Sequence, residues 1–138
     1  MTIVIICLFI TTLMPILAKA PMAIAMNKVK GGYDNRHPRE QQKFLTGFGA
    51  RAKAAHENCF EALIMFTPGA LAVLVSNNVV QLAEYFAVAF VVSRLAYLLA
   101  YYFDKHVLRS TFWGIGFISS LALIWLAIPQ LTKGWPTR

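Results

Sequence analysis

The chain has 138 residues, 58% of them hydrophobic and 14% charged, with a formal net charge of +7; its mean hydropathy is +0.57 and its pI about 9.7. That composition lies well outside the soluble globular norm and excludes a soluble domain in favour of an integral membrane protein. Against a hydrocarbon core near 30 Å, the length suffices for about four helices of roughly 20 residues and little else, so a single transmembrane domain, 1–138, is expected.

The first span is predicted over Thr2 to about Met26. Ala18-Lys19-Ala20 resembles a small-x-small cleavage site after an apolar stretch, but no basic residue precedes that stretch, so the segment reads as a true span rather than a signal peptide. Lys19, well inside it, is expected to snorkel or to pair with Glu57. A long basic loop, Asn27 to Gly49, follows. There Gly31-Gly32 permits a turn, Tyr33-Asp34-Asn35 suits an Asx-type turn, and Pro38 fixes the chain before Arg39 and Glu40. Such a loop can be ordered, although composition alone favours a solvated basic connector.

The second span runs from Arg51 to Val75, with Arg51 to Glu57 as a polar approach and Asn58 to Val75 as the apolar body. Ser76-Asn77-Asn78 is turn chemistry, and the third span covers Gln81 to Phe103. After a brief polar break, Asp104 to Leu108, the fourth covers 109–131 and is free of charge from Thr111 onward. Connectors this short make consecutive helices antiparallel neighbours, and the predicted fold class is all-α, an integral membrane four-helix up-and-down bundle. Pro15, Pro21 and Pro68 should bend the first two spans locally. Gly116 and Ser120, broadened by Gly114 and Ser119, form a small-x-x-x-small face that suits helix contact either within one subunit or between subunits.

Lys28, Lys30, Arg36, Arg39, Lys43, Arg51 and Lys53 crowd the first loop and its border, Lys105 and Arg109 flank the third loop, and the second loop has neither Lys nor Arg. The positive-inside bias then places the long first loop in the cytoplasm and both termini on the opposite side. The basic groups line a membrane boundary instead of forming a separate basic domain, so anionic lipid headgroups are expected as partners and nucleic acid is not. Cys7 and Cys59 fall near opposite ends of their spans, too far apart for a disulfide. His37, His56 and His106 are scattered, with no metal-ligand spacing, so no metal is expected.

One constellation carries chemistry. Unpaired polar groups at bilayer depth cost several kcal/mol, so those present there are functional candidates. At about 100° per residue, Arg51, Asn58 and Glu61 share a sector of roughly 80° on the second span. On the third, Arg94, Tyr97 and Tyr101 follow i, i+3, i+7 and share a face. The fourth opens with Arg109 and Ser110, followed by Trp113. All belong to the same half of the bundle. Arginines, an amide and a carboxylate suit a small zwitterion or polyanion, with tyrosine hydroxyls on an apolar wall. Two alternatives remain: Arg94 paired with Glu61 or Glu84, and the tyrosines as an interfacial aromatic belt.

Tyr33-Asp34-Asn35-Arg36-His37-Pro38-Arg39, Arg51-Ala52 with Ala55, Asn58, Glu61 and Phe66, Arg94-x-x-Tyr97-x-x-x-Tyr101, and Arg109-Ser110 together resemble the MAPEG family, membrane-associated proteins in eicosanoid and glutathione metabolism. The resemblance is closest to the short bacterial members, which implies a bacterial inner membrane, and it covers essentially the whole chain. It implies a homotrimer with glutathione between neighbouring subunits. Asn58 and Glu61 would meet the peptide backbone and amino group, Arg94, Tyr97 and Tyr101 would line the pocket, and Arg109, with Ser110 beside it, would stabilise the thiolate. A guanidinium beside a thiol whose ordinary pKa is about 8.5 favours that reactive form. Ala54 stands where better-known members have an arginine, and Arg51 lies about 4.5 Å further back along the helix.

Two functional readings result. The first is a glutathione-dependent membrane transferase or peroxidase acting on lipophilic electrophiles or lipid hydroperoxides. The second is a non-catalytic protein of the same fold that binds a lipid or a partner protein. A channel or transporter is disfavoured because one of four spans offers no charge to line a path.

Overall fold

The computed structural model describes residues 1–76 and 80–133, the side chains of 129–133 excepted. Five helices follow one another: α1 (Thr2–Asn27), α2 (Pro38–Lys43), α3 (Gly47–Val75), α4 (Gln81–Tyr102) and α5 (His106–Lys133). Among the described residues four of them, α1, α3, α4 and the stretch His106–Ile128 of α5, are long and apolar enough to span a membrane. The molecule is an all-α four-helix membrane bundle. Asn77 and Asn78, from which the second turn was expected, lie outside the described residues.

Packing follows from the spacing of small side chains. On α3 the buried positions are Gly49, Ala52, Ala55, Cys59, Ala62, Phe66, Gly69, Ala70 and Val73. From Ala52 to Val73, Ala70 aside, they alternate steps of three and four, the seam of a left-handed helix pair. Since lipid offers no hydrophobic drive for helix association, close approach through small residues supplies the contact energy. α1 packs on α3 and α4, and α5 packs on α4 and α3, while α3 and α4 meet across the middle. Phe66 and Phe90 stack there with ring centroids 4.3 Å apart. Gly69 marks a close approach of α3 to α5: a Cβ at that position would lie 2.9 Å from both the Ser120 carbonyl oxygen and Leu123 Cβ.

Two helices begin earlier than the sequence suggests. α3 starts at Gly47 instead of Arg51, because Thr46 in extended conformation already caps it, its carbonyl accepting from Gly49 N at 3.0 Å. The polar stretch Arg51 to Glu57 is thus regular helix. α5 starts at His106 because the α4–α5 connection closes within three residues. Lys105 N bonds Ala100 O at 2.8 Å and Asp104 N bonds Tyr101 O at 3.2 Å, with Asp104 at φ 58°. This is the Schellman termination with aspartate in the left-handed position that usually takes glycine.

The first loop is ordered, contrary to the solvated connector that its composition favours. Asp34 Oδ1 accepts from the backbone N–H of Arg36 at 2.8 Å and of His37 at 2.9 Å, the expected Asx turn. Gln41 then ties α2 to the end of α1: its Nε2 donates to Gly32 O at 2.7 Å and Met26 O at 3.2 Å, and its Oε1 accepts from Asp34 N at 3.0 Å. Beneath it Tyr33, Leu45 and Tyr102 pack on a second small core of Met22, Met26 and Ala52.

Candidate functional site

Asn58 projects from α3 one residue before the buried seam position Cys59, which turns its amide toward α4 while leaving it half-exposed. There its Oδ1 accepts from Arg94 Nη2, and its Nδ2 donates to Glu61 Oε2 at 2.5 Å, one turn further along α3. Arg94 is 1% exposed, the largest fully buried side chain among the described residues. Gly116 on α5 makes room for it, since a Cβ there would lie 3.0 Å from Ser93 Oγ and 3.3 Å from Arg94 Cδ. Gly116 therefore serves contact within one chain, one of the two roles open to its small-residue face.

The guanidinium lies over the Tyr97 ring at 4.0 Å, Tyr97 meets Tyr101 edge to face at 5.5 Å, and Arg109 from α5 lies over Tyr101 at 4.5 Å. Glu61, Asn58, Arg94, Tyr97, Tyr101 and Arg109 thus form one continuous chain of contacts across three helices. Its middle, Arg94 and Tyr97, is sealed inside the bundle; Glu61 is exposed at one end, and Tyr101 and Arg109 are half-exposed at the other. Arg94 Nη1 is buried without a hydrogen-bond acceptor. The groups open to a ligand are therefore at the two ends of this chain of contacts, the exposed Glu61 carboxylate and the half-exposed Arg109 guanidinium, a pair that suits a ligand carrying both an amine and an anionic group.

These contacts settle the choice of Arg94's partner. Arg94 reaches Glu61 only through Asn58, and Glu84 is bonded at 2.7 Å by the Met1 amino group. Arg51 stands apart from the others: its Nη1 lies 3.9 Å from Asp104 Oδ2 at the α4–α5 turn, and its Nε is buried without a partner. Ser110 is exposed and its Oγ donates to His106 O at 3.2 Å, a bond internal to α5. Trp113 stacks on Phe117 at 5.3 Å along the same helix. Ala54 is half-buried on α3 and brings no polar group to the chain of contacts.

A family model described as "MAPEG family" matches residues 3–129. The chain belongs to the MAPEG family. No curated protein and no solved structure gives a significant match, so the family match stands alone. For this MAPEG protein it agrees with the four-helix membrane bundle and connects the chain to a family related to glutathione and eicosanoid metabolism. Sequence reasoning passed over Gln41 and the packing role of Gly116. Gln41 offers no periodic signal, being one amide in a basic loop. Gly116 gave a signal, but small-residue spacing alone does not say which helix it faces.

Proposed function

We propose that this protein is a glutathione-dependent membrane transferase or peroxidase acting on lipophilic electrophiles or lipid hydroperoxides. The observation that carries the reading is the unbroken contact chain from Glu61 to Arg109. On α4 the stretch from Arg94 to Tyr101 rises about 10 Å at 1.5 Å per residue. An extended tripeptide spans about the same length. Glu61 takes the ligand's ammonium, Asn58 its backbone, and Arg109, oriented by the Tyr101 ring, faces the sulfur. Arg94 and Tyr97 back the site and hold Asn58 and Tyr101 in place, and Ser110 and Arg51 border it. The arginine lowers the free energy of the thiolate, and the electrophile enters from the lipid.

The working unit is a homotrimer in this reading. An exposed Glu61 on a membrane-spanning segment is costly against lipid, and a neighbouring copy covering that face removes the cost. Ile64, three residues further along α3, is exposed beside Glu61, an apolar neighbour suited to such a contact. The Lys and Arg distribution supports a cytoplasmic first loop with both termini opposite, and the family resemblance supports a bacterial inner membrane.

Calorimetry of glutathione on the purified protein, combined with thiolate absorbance, tests the proposal. Wild type is expected to bind and to show thiolate; Arg109→Ala is expected to keep binding and lose the thiolate signal. Absence of binding heat in wild type overturns it. A second reading, a non-catalytic MAPEG-fold protein binding a lipid or partner protein, is favoured by one observation: Asn58 already commits one of its two amide hydrogens and one lone pair of its oxygen within the chain, which leaves less of it for a ligand. Binding without any thiolate signal in wild type selects that reading.

A further inference from the structure

Between α1, α2 and the first half of α3 lies a cavity of about 730 Å³ to which no residue of the glutathione stripe contributes. Four cations line it, Lys19, Arg39, Lys43 and Lys53, against a single carboxylate, Glu57. Two of the lysines are matched: Lys53 pairs with Glu57 at 2.8 Å and Lys43 with Glu40 at 2.8 Å. The expected Lys19–Glu57 pair is therefore absent, because Lys53 reaches the same carboxylate from one turn away on the same helix. Lys19 and Arg39 have no acidic partner among the described residues.

His56 stands between these walls, its Nδ1 bonded to the Pro15 carbonyl at 2.8 Å. A carbonyl only accepts, so Nδ1 carries the hydrogen and Nε2 is left to another partner. The side of the cavity toward the loop is cationic. Its other side is apolar and opens on the bundle surface, where Ile16 is 69% and Phe60 50% exposed.

We propose that this cavity binds the headgroup of an anionic phospholipid, with Lys19 and Arg39 on the phosphate and the acyl chains running along Ile16 and Phe60. Two unmatched cations supply charge-assisted hydrogen bonds to phosphate oxygens. A free phosphate would satisfy the same cations but would leave the apolar wall without an occupant; a phospholipid meets both. The assignment also explains a lysine placed well inside α1, where a charge without a partner is unfavourable.

The test titrates the purified full chain in detergent with phosphatidylglycerol, phosphatidylcholine and inorganic phosphate, reading thermal stability and retained adducts by native mass spectrometry. Phosphatidylglycerol is expected to raise the Tm and remain bound, and the other two at equal concentration are not. Lys19→Gln with Arg39→Gln is expected to weaken phosphatidylglycerol binding at least tenfold, while Arg36→Gln, outside the cavity, leaves it unchanged. Undiminished protection in the double variant overturns the site, and equal protection by inorganic phosphate overturns the lipid assignment. Should the double variant fail to fold, Arg39→Gln, at an exposed position of α2, carries the same two outcomes with a smaller loss. Glutathione binding, measured on the same variants and expected unchanged, distinguishes a failure here from a failure of the transferase reading.

Discussion

Asn58 on α3 and Arg94 on α4 are joined side chain to side chain across 36 residues of sequence, and through this bond the buried guanidinium reaches the carboxylate of Glu61. Arg94 already lacks a partner for Nη1, so Asn58 is the acceptor that makes its burial tolerable. Asn58→Ala is expected to lower stability by about 1–3 kcal/mol, the cost of leaving a buried polar group unsatisfied. Arg94→Leu combined with Asn58→Leu is expected to recover most of that loss, since replacing both partners with apolar groups is often close to neutral. Unfolding in detergent micelles, run as a double-variant cycle, checks both. Equal destabilisation by Asn58→Ala in the Arg94→Leu background would refute the coupling.

The alternation of apolar spans and short polar breaks made the bundle legible, because bilayer thickness imposes length on every span. The stripe of Arg94, Tyr97 and Tyr101 was legible for the same reason: helical periodicity alone puts them on one face. Arg51 and Asn58 share an angular sector but not a height: seven residues separate them by about 10 Å along the axis, and Arg51 turns to Asp104 instead. The start of α5 was read three residues late because a left-handed aspartate, unlike glycine, does not announce a helix end. The order in the first loop escaped composition because it rests on one Asx turn and one amide, Asp34 and Gln41.

The Tyr101 ring orients Arg109 by lying under its guanidinium at 4.5 Å. Such a contact is worth about 0.5–1 kcal/mol at a partly exposed site. Tyr101→Leu is therefore expected to reduce thiolate formation by roughly two- to fivefold, while Tyr101→Phe, which keeps the ring, retains most of it. Thiolate absorbance at saturating glutathione makes the comparison. Similar losses in both variants would point to the hydroxyl in place of the ring.

Gly69 and Gly114 provide opposite controls on helix packing. A Cβ at Gly69 meets the Ser120 carbonyl oxygen and Leu123 Cβ at 2.9 Å, while one at Gly114 meets nothing within 4 Å. Alanine in a helix gains up to about 1 kcal/mol over glycine, but overpacking costs about 1–3 kcal/mol. Gly69→Ala is expected to lower the Tm and Gly114→Ala to hold or raise it. Thermal unfolding of the two variants side by side is sufficient.

Asp104 occupies the left-handed position that ends α4, at φ 58°, where a side chain costs free energy that glycine avoids. Its compensation is the contact with Arg51 at 3.9 Å, and the Asp104 side chain is 69% exposed. A pair exposed to that degree is worth no more than about 1 kcal/mol. Asp104→Gly is expected to match or exceed wild-type stability, whereas Asp104→Ala, which keeps the strain and loses the pair, falls below it. A lower Tm for the glycine variant than for the alanine variant would give Arg51 a larger structural role.

Asp34 makes the first loop sensitive to acid. The backbone N–H of His37, with a further hydrogen bond from Arg36 N, holds its carboxyl below the usual carboxylate range. A group whose pKa is depressed in the folded state contributes stability above its ordinary value, about 3.9 for aspartate, and loses it as pH falls through the folded value. The Asx turn should therefore be unaffected between about pH 5 and pH 8 and should open below about pH 4. Hydrogen exchange of the Arg36 and His37 amides reads this directly. Asp34→Asn keeps an acceptor oxygen but does not titrate, so its exchange should show no acid transition beyond the intrinsic pH dependence of amide exchange. Asp34→Ala has no acceptor and should leave both amides unprotected at every pH. An acid transition that persists in Asp34→Asn would assign the sensitivity to another group.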